Sequence, residues 1–242
     1  MRYINKKDAE PECLSSYKKT CHELGVQEPL LYADFNETAK LRKILCEEQH
    51  NVCCYCQRPV KGFRIEHSYP ENGPDSEKSK RLQLEYSNLF ASCMDSQRLP
   101  KYLQYCDVAK GNRIIREFIK EQQCQSYFRY LSTGEIIPNG DFSTWKEYEE
   151  ATDLSQDEKD ALEAINILNL NCHSLVAERR TCLSELLRLL SKRSKDEWLQ
   201  TIDKWLSAST YPAFIELRLQ YLKRYLSSAQ LKITNYELNN HG

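Results

Sequence analysis

The chain has 242 residues, enough for one large domain or a core domain with a smaller companion. Its 34 lysines and arginines balance 35 aspartates and glutamates, so total charge does not mark a nucleic-acid binder, although binding needs only a local basic surface. No stretch is apolar enough to span a bilayer, and the opening MRYINKKDAEPE is no signal peptide. The eleven cysteines therefore read as metal ligands and buried free thiols, and the expected setting is the cytoplasm.

Residues 1–33 are mixed polar and aromatic, with Pro11 and Pro29 interrupting any long period. Asp34-x-x-Glu37 predicts a capping box, and Leu41, Ile44 and Leu45 predict a helix from about Asn36 to Gln49. Cys53-Cys54-Tyr55-Cys56 is a tight turn in which two sulfurs can face one ion, with Cys54 packing as a small apolar residue. Gly62 to His67 alternates as a short strand, Pro70 to Lys80 reads as a loop, and Leu82 to Leu89 as strand or extended chain. Cys93 to Tyr105 is a spacer. Ile114, Ile115, Phe118 and Ile119 then predict a helix over 112–123, completing a hairpin, loop and helix of ββα-metal type.

Tyr127 to Leu131 and Glu135 to Pro138 flank a turn glycine and predict a β-hairpin. Beyond it the pattern is helical. Ser155-x-x-Glu158 and Ser194-x-x-Glu197 open helices, Leu183, Leu187 and Leu190 mark one between them, and Pro212 suits the first turn of a last one. The expected fold class is α+β and mostly helical: a metal-stabilised core region over 1–150 and a helical region over 151–242 that packs against it or docks a partner.

The chemistry concentrates in residues 53–111. Cys53, Cys56, Cys93 and Cys106 suit a closed tetrahedral zinc site, with Cys124 as the rival fourth ligand. The bland readings are buried free thiols or a Cys53–Cys56 redox dithiol. Between the thiols lie Glu66-His67-x-x-Pro70 and Asn88, and after them Asp107-x-x-Lys110-Gly111. An acid beside a histidine suits a hard divalent metal next to a general base. Singly, His67 reads as a hydrogen-bonded core residue, Asn88 as a turn residue and Asp107 as a first-turn helix acid; order and spacing make them a set. His22, His50, His173 and His241 lack such a context. Lys78 to Arg81 and Lys110 to Arg116 are basic stretches that ordinary solvated surface would also explain. Trp198, Trp205 and Tyr221 fall at helical spacing, which favours a core or a partner interface over base stacking.

Leu41-Arg42, Gln49, Cys53-Cys54-Tyr55-Cys56, Glu66-His67-x-x-Pro70, Tyr86-x-Asn88-Leu89, Cys93 and Cys106-Asp107-x-x-Lys110-Gly111 resemble the zinc-stabilised HNH endonucleases. Over roughly residues 1–140 the chain is most similar to the PtuB-like group of Septu and Septu-containing retron anti-phage defence systems. The resemblance implies that the four cysteines hold structural zinc, His67 is the general base, and Asn88 fixes the loop carrying it. It also implies that Glu66 and Asp107 hold a catalytic Mg²⁺ or Mn²⁺. Asp107 stands where many relatives have His or Asn, which bears on metal preference. The implied partners are a nucleic-acid substrate, a PtuA-like SMC/ABC-type ATPase and, in retrons, a reverse transcriptase with its multicopy single-stranded DNA. A zinc-built adaptor without chemistry, bridging such an ATPase and nucleic acid, is the alternative.

Overall fold

The computed structural model describes residues 1–59, 62–190 and 192–226. The expected helical region to 242 therefore lies partly outside the described residues, and His241 lies wholly outside them. The fold is α+β. In chain order the elements are α1 (Glu12–Glu23), α2 (Thr38–Glu48), β1 (Phe63–His67), α3 (Ser76–Leu82), β2 (Leu89–Cys93) and α4 (Asp107–Lys110). There follow β3 (Phe128–Tyr130), β4 (Ile136–Pro138), α5 (Trp145–Glu150), α6 (Gln156–Ile167), α7 (His173–Leu190), α8 (Lys195–Leu206) and α9 (Ile215–Tyr225).

β1 and β2 form an antiparallel pair that runs from Phe63 opposite Cys93 to His67 opposite Leu89. One face buries Phe63, Ile65, Leu89 and Ala91 against Leu14, Leu41 and Leu45 of α1 and α2. Phe90, on the other face, and Cys93, at the end of β2, join a second core containing Cys53, Cys56 and Cys106. That core continues through Ile165, Leu168, Trp198, Leu217 and Leu222, so the thiol-bearing loops and the C-terminal helices share one apolar interior. Trp198 is buried in it and Trp205 and Tyr221 pack against it.

Several sequence expectations change. The capping box at Asp34 does not form: Tyr32–Asp34 is a 3₁₀ turn, and α2 starts at Thr38 after Glu37, which makes no side-chain cap bond. Phe35, buried edge-on against Tyr17 with ring centroids 5.2 Å apart, anchors the chain between the two. The expected loop over 70–80 contains α3, capped by Asp75 Oδ1 accepting from the Lys78 N–H at 3.0 Å. The extended chain expected over 82–89 is mostly a turn, with a 3₁₀ turn at Tyr86–Asn88. β1 has five partners to fill, and they are residues 89–93.

The helix over 112–123 is absent. α4 is one turn, Gly111 follows it at φ 55°, and only Phe118–Lys120 coils again, as 3₁₀. Ile115, Phe118 and Ile119 are buried as expected, but the Ile119 carbonyl is spent on the Ile4 N–H at 2.9 Å. Tertiary contacts override the period there. The β3–β4 hairpin and the boxes at Ser155 and Ser194 form, and a third box at Thr144 opens α5. Pro212 precedes rather than begins α9, because Phe214 adopts a left-handed conformation (φ 55°) and donates its N–H to the Gln57 carbonyl.

Candidate metal centre and the adjoining histidine

Cys53, Cys56, Cys93 and Cys106 come from two loops and the end of β2, and their sulfurs all lie within 4.8 Å of one another, buried. Cys53 to Cys106 and Cys56 to Cys93 are each 3.8 Å. Four thiolates around zinc at ~2.3 Å stand about 3.8 Å apart, whereas a disulfide requires ~2 Å. All eleven cysteines are free. The donor set therefore fits a closed, structural metal site such as zinc. Among the described residues no other group of three or more such ligands comes together.

Local geometry serves the sulfurs. Gln57, after Cys56, and Cys106 itself hold φ of 62° and 58°, a left-handed range that costs non-glycine residues ~1–3 kcal/mol and persists where surrounding bonds enforce it. The Cys93 N–H points at Cys53 Sγ at 3.4 Å. Burial pushes the Cys53 thiol up, but its contacts with the thiols of Cys106, Cys54, Cys56 and Cys93 leave it well below the usual range. Burial, then Cys53, Cys56 and Cys93, push Cys106 up. A metal bound at such thiols displaces their protons. Cys54 is buried with a thiol pushed well up, and it stands outside the set. Cys124 is buried elsewhere, beside the Met1 amino group, and is not a fourth ligand.

β1 carries Glu66 and His67 past this centre. Adjacent strand positions point to opposite faces, and the contacts follow that rule. Glu66, 1 % exposed, turns to the thiol side, where Oε1 accepts from Tyr55 Oη and Lys110 Nζ, both at 2.7 Å. Burial pushes its carboxyl up, but Asp107, Lys110 and Tyr55 more than offset that and hold it below the usual range. Asp107 is pushed up to about 9, first by burial and then by the Glu66 charge, against Arg64 and Lys110. Arg64 Nε lies 2.5 Å from Asp107 Oδ2 without hydrogen-bond alignment, so that buried oxygen has no hydrogen-bond partner. The two carboxyls are therefore already met by cations, Glu66 by Lys110 and Asp107 by Arg64.

His67, 5 % exposed, turns to the other side. Its Nε2 lies 2.9 Å from the Gln83 carbonyl oxygen, its Nδ1 lies 3.2 Å from Glu71 Oε1, and Tyr32 packs edge-on at 4.9 Å. Both ring nitrogens thus face acceptors, a main-chain carbonyl at Nε2 and a carboxylate at Nδ1, so either can carry the hydrogen of the neutral ring and both do in the imidazolium. Burial holds its pKa below the ordinary histidine value despite Glu71. Asn88 accepts from the Tyr69 N–H at 2.7 Å and donates to the carbonyls of Tyr69 and Leu82, both at 3.0 Å, clamping the chain just after His67.

Sequence reasoning missed Lys110, Tyr55, Gln83 and Glu71 as members of this site. Lys110 lay in a basic stretch whose bland reading was solvated surface, yet it is 1 % exposed; its spacing four after Cys106 was the available signal. Gln83 acts through its carbonyl, which carries no side-chain signature. His50, without context in the sequence, stacks on Tyr211 at 3.8 Å and meets the Ala208 carbonyl at 2.7 Å. No helix among the described residues is long and apolar enough to cross a membrane. No protein-family model matches the chain, and no curated protein matches it.

Proposed function

We propose that the chain is a metal-dependent HNH-type endonuclease that hydrolyses phosphodiester bonds of nucleic acid. The observation that carries this reading is the buried His67, gripped at Nε2 by the Gln83 carbonyl and reached at Nδ1 only by the surface carboxylate of Glu71. Burial favours its neutral ring, and with Glu71 turned away Nδ1 can carry the lone pair that general-base catalysis at neutral pH requires. His67 Nδ1 takes a proton from water, whose oxygen attacks phosphorus in line while the P–O bond to the leaving oxygen breaks. Asn88 keeps the residues after His67 fixed during the transfer. Glu66 and Asp107 would hold Mg²⁺ or Mn²⁺, which when bound supplies charge stabilisation to the more negative transition state. Glu71, whose side chain is 40 % exposed, swings off Nδ1 to admit the phosphate, a rotation open to surface side chains in nanoseconds or less. Zinc at the four thiols does no chemistry and holds the loops that frame β1 and β2.

The resemblance to PtuB-like proteins supplies the setting: a cytoplasmic effector in an anti-phage defence complex. Its partners there are a PtuA-like SMC/ABC-type ATPase and, in a retron, a reverse transcriptase with its multicopy single-stranded DNA. The near-neutral charge is in keeping with weak affinity for nucleic acid by the chain alone.

The zinc-built adaptor is the second reading, favoured by the cover over His67 and by the opposite directions of Glu66 and His67. A thiol oxidoreductase leaves Cys93 and Cys106 at the same point unexplained. The test is cleavage of supercoiled plasmid and of single-stranded DNA and RNA with Mg²⁺ or Mn²⁺, with and without the ATPase. Metal-dependent cleavage that His67→Ala lowers by at least about a hundredfold supports the endonuclease. A His67→Ala chain that protects cells from phage as well as the original does supports the adaptor.

A further inference from the structure

We infer that Lys110 is a positioning residue, the tie through which the four-thiol centre sets both halves of the Glu66–His67 pair. Its consequence for catalysis rests on the endonuclease reading; its geometry does not. Lys110 ends the single turn of α4, and its N–H donates to the Cys106 carbonyl at 2.9 Å, so it stands one helical turn from a thiol of the centre. Its ammonium donates to Glu66 Oε1 at 2.7 Å and to the main-chain carbonyl of His67 at 2.8 Å.

A buried ammonium is tolerated where it is paired and its protons are used. An ion pair with Glu66 would use one proton. The second goes to the peptide of the next residue, and that is the informative contact. Strand alternation sends the Glu66 carboxylate and the His67 ring apart, so nothing in β1 itself fixes one against the other; a single group that grips both does. Tyr55, between Cys54 and Cys56, reaches the same Oε1 from the other thiol-bearing loop. Both loops therefore converge on one carboxylate oxygen, and neither bond touches Oε2. Zinc binding, which fixes both loops, thereby fixes the pair.

The experiment uses the full chain. Lys110→Met alone strands the Glu66 charge and risks unfolding, so it is paired with Lys110→Met/Glu66→Gln, in which both charges are gone. Zinc content reports the thiol centre, and ¹⁵N shifts of the His67 ring report its hydrogen bonding. The expected result is about one zinc per chain in the double variant with the His67 ring shifts of the original chain lost, while Glu66→Gln alone, which keeps the lysine, retains them. In cleavage assays kcat of the folded Lys110→Met chain falls about a hundredfold with KM little changed. A zinc-loaded double variant whose His67 signature matches the original chain overturns the inference. A wild-type chain that cleaves nothing defeats the endonuclease reading instead, and the ¹⁵N result still decides the tie.

Discussion

At Asn88 a single side-chain amide makes three hydrogen bonds to main chain. Asn88→Ala leaves the Tyr69 N–H buried and unmet, and such a group costs ~1–3 kcal/mol. We expect the urea midpoint to fall by the equivalent of about 3 kcal/mol with zinc content unchanged; an unchanged midpoint would show the clamp to be redundant. Lys6 gives a pH dependence. Its Nζ lies 3.3 Å from Glu48 and over the rings of Tyr86 and Phe90 at 4.2 and 4.6 Å. Burial lowers its pKa from 10.5 to about 8, against the attraction of Glu48. Burial also raises Glu48, so on both sides it outweighs their attraction. A folded pKa below the unfolded one means that the folded state loses its proton first. Lys6 therefore makes stability rise as pH climbs from about 8 towards 10.5, by on the order of 1–3 kcal/mol. Unfolding free energies of the original chain and Lys6→Met, compared across that window, should differ by this slope; parallel curves would contradict it.

Among purely local signals some were legible in the sequence, whereas the box at Asp34 misled. The boxes at Ser155 and Ser194 form as read, because an N-cap hydroxyl and a glutamate three residues on satisfy each other wherever the helix packs. Ser155→Ala should cost about 1 kcal/mol in thermal or urea unfolding. The β3–β4 turn was also legible, but not why its glycine is needed. Gly134 sits at φ +92° with α7 behind it, and a Cβ there would run into the Val176 carbonyl. Gly134→Ala should cost more than the ~1 kcal/mol expected from backbone freedom alone, read as a lowered melting temperature; a neutral substitution would mean that α7 yields easily. What failed was the helix over 112–123. Its apolar spacing suited a helix, yet Ile115, Phe118 and Ile119 meet the core from a turn-and-extended path that Ile4 pairs with. The partner was a hundred residues of fold away from anything the local period encodes.

Across the molecule, the four thiols were the most legible feature, because soft ligands at fixed spacing carry their chemistry in the residue type. Their surroundings were not. That Lys110 is buried, that the Gln83 carbonyl meets His67 Nε2, and that Glu66 and His67 face apart depend on β1 pairing with β2 and on loops with no regular pattern. The apolar core that holds Cys53, Cys56, Cys93 and Cys106 also holds Ile165, Trp198 and Leu217, so loss of the centre should be felt in the C-terminal helices too. Chelation of the metal is expected to lower the far-UV helical signal together with the tryptophan fluorescence change of Trp198, in one transition.

The most direct test of the account is elemental analysis of the purified chain beside Cys93→Ala and Cys106→Ala. About one zinc per chain, lost in both variants, is the predicted result, since a tetrahedral thiolate site cannot spare a ligand. A chain that carries no zinc and holds Cys53 and Cys56 as a reversible disulfide would contradict it. The four sulfurs would then be a redox pair with two bystanders, and the placement of Glu66, His67, Asn88 and Asp107 around a metal-built core would lose its foundation.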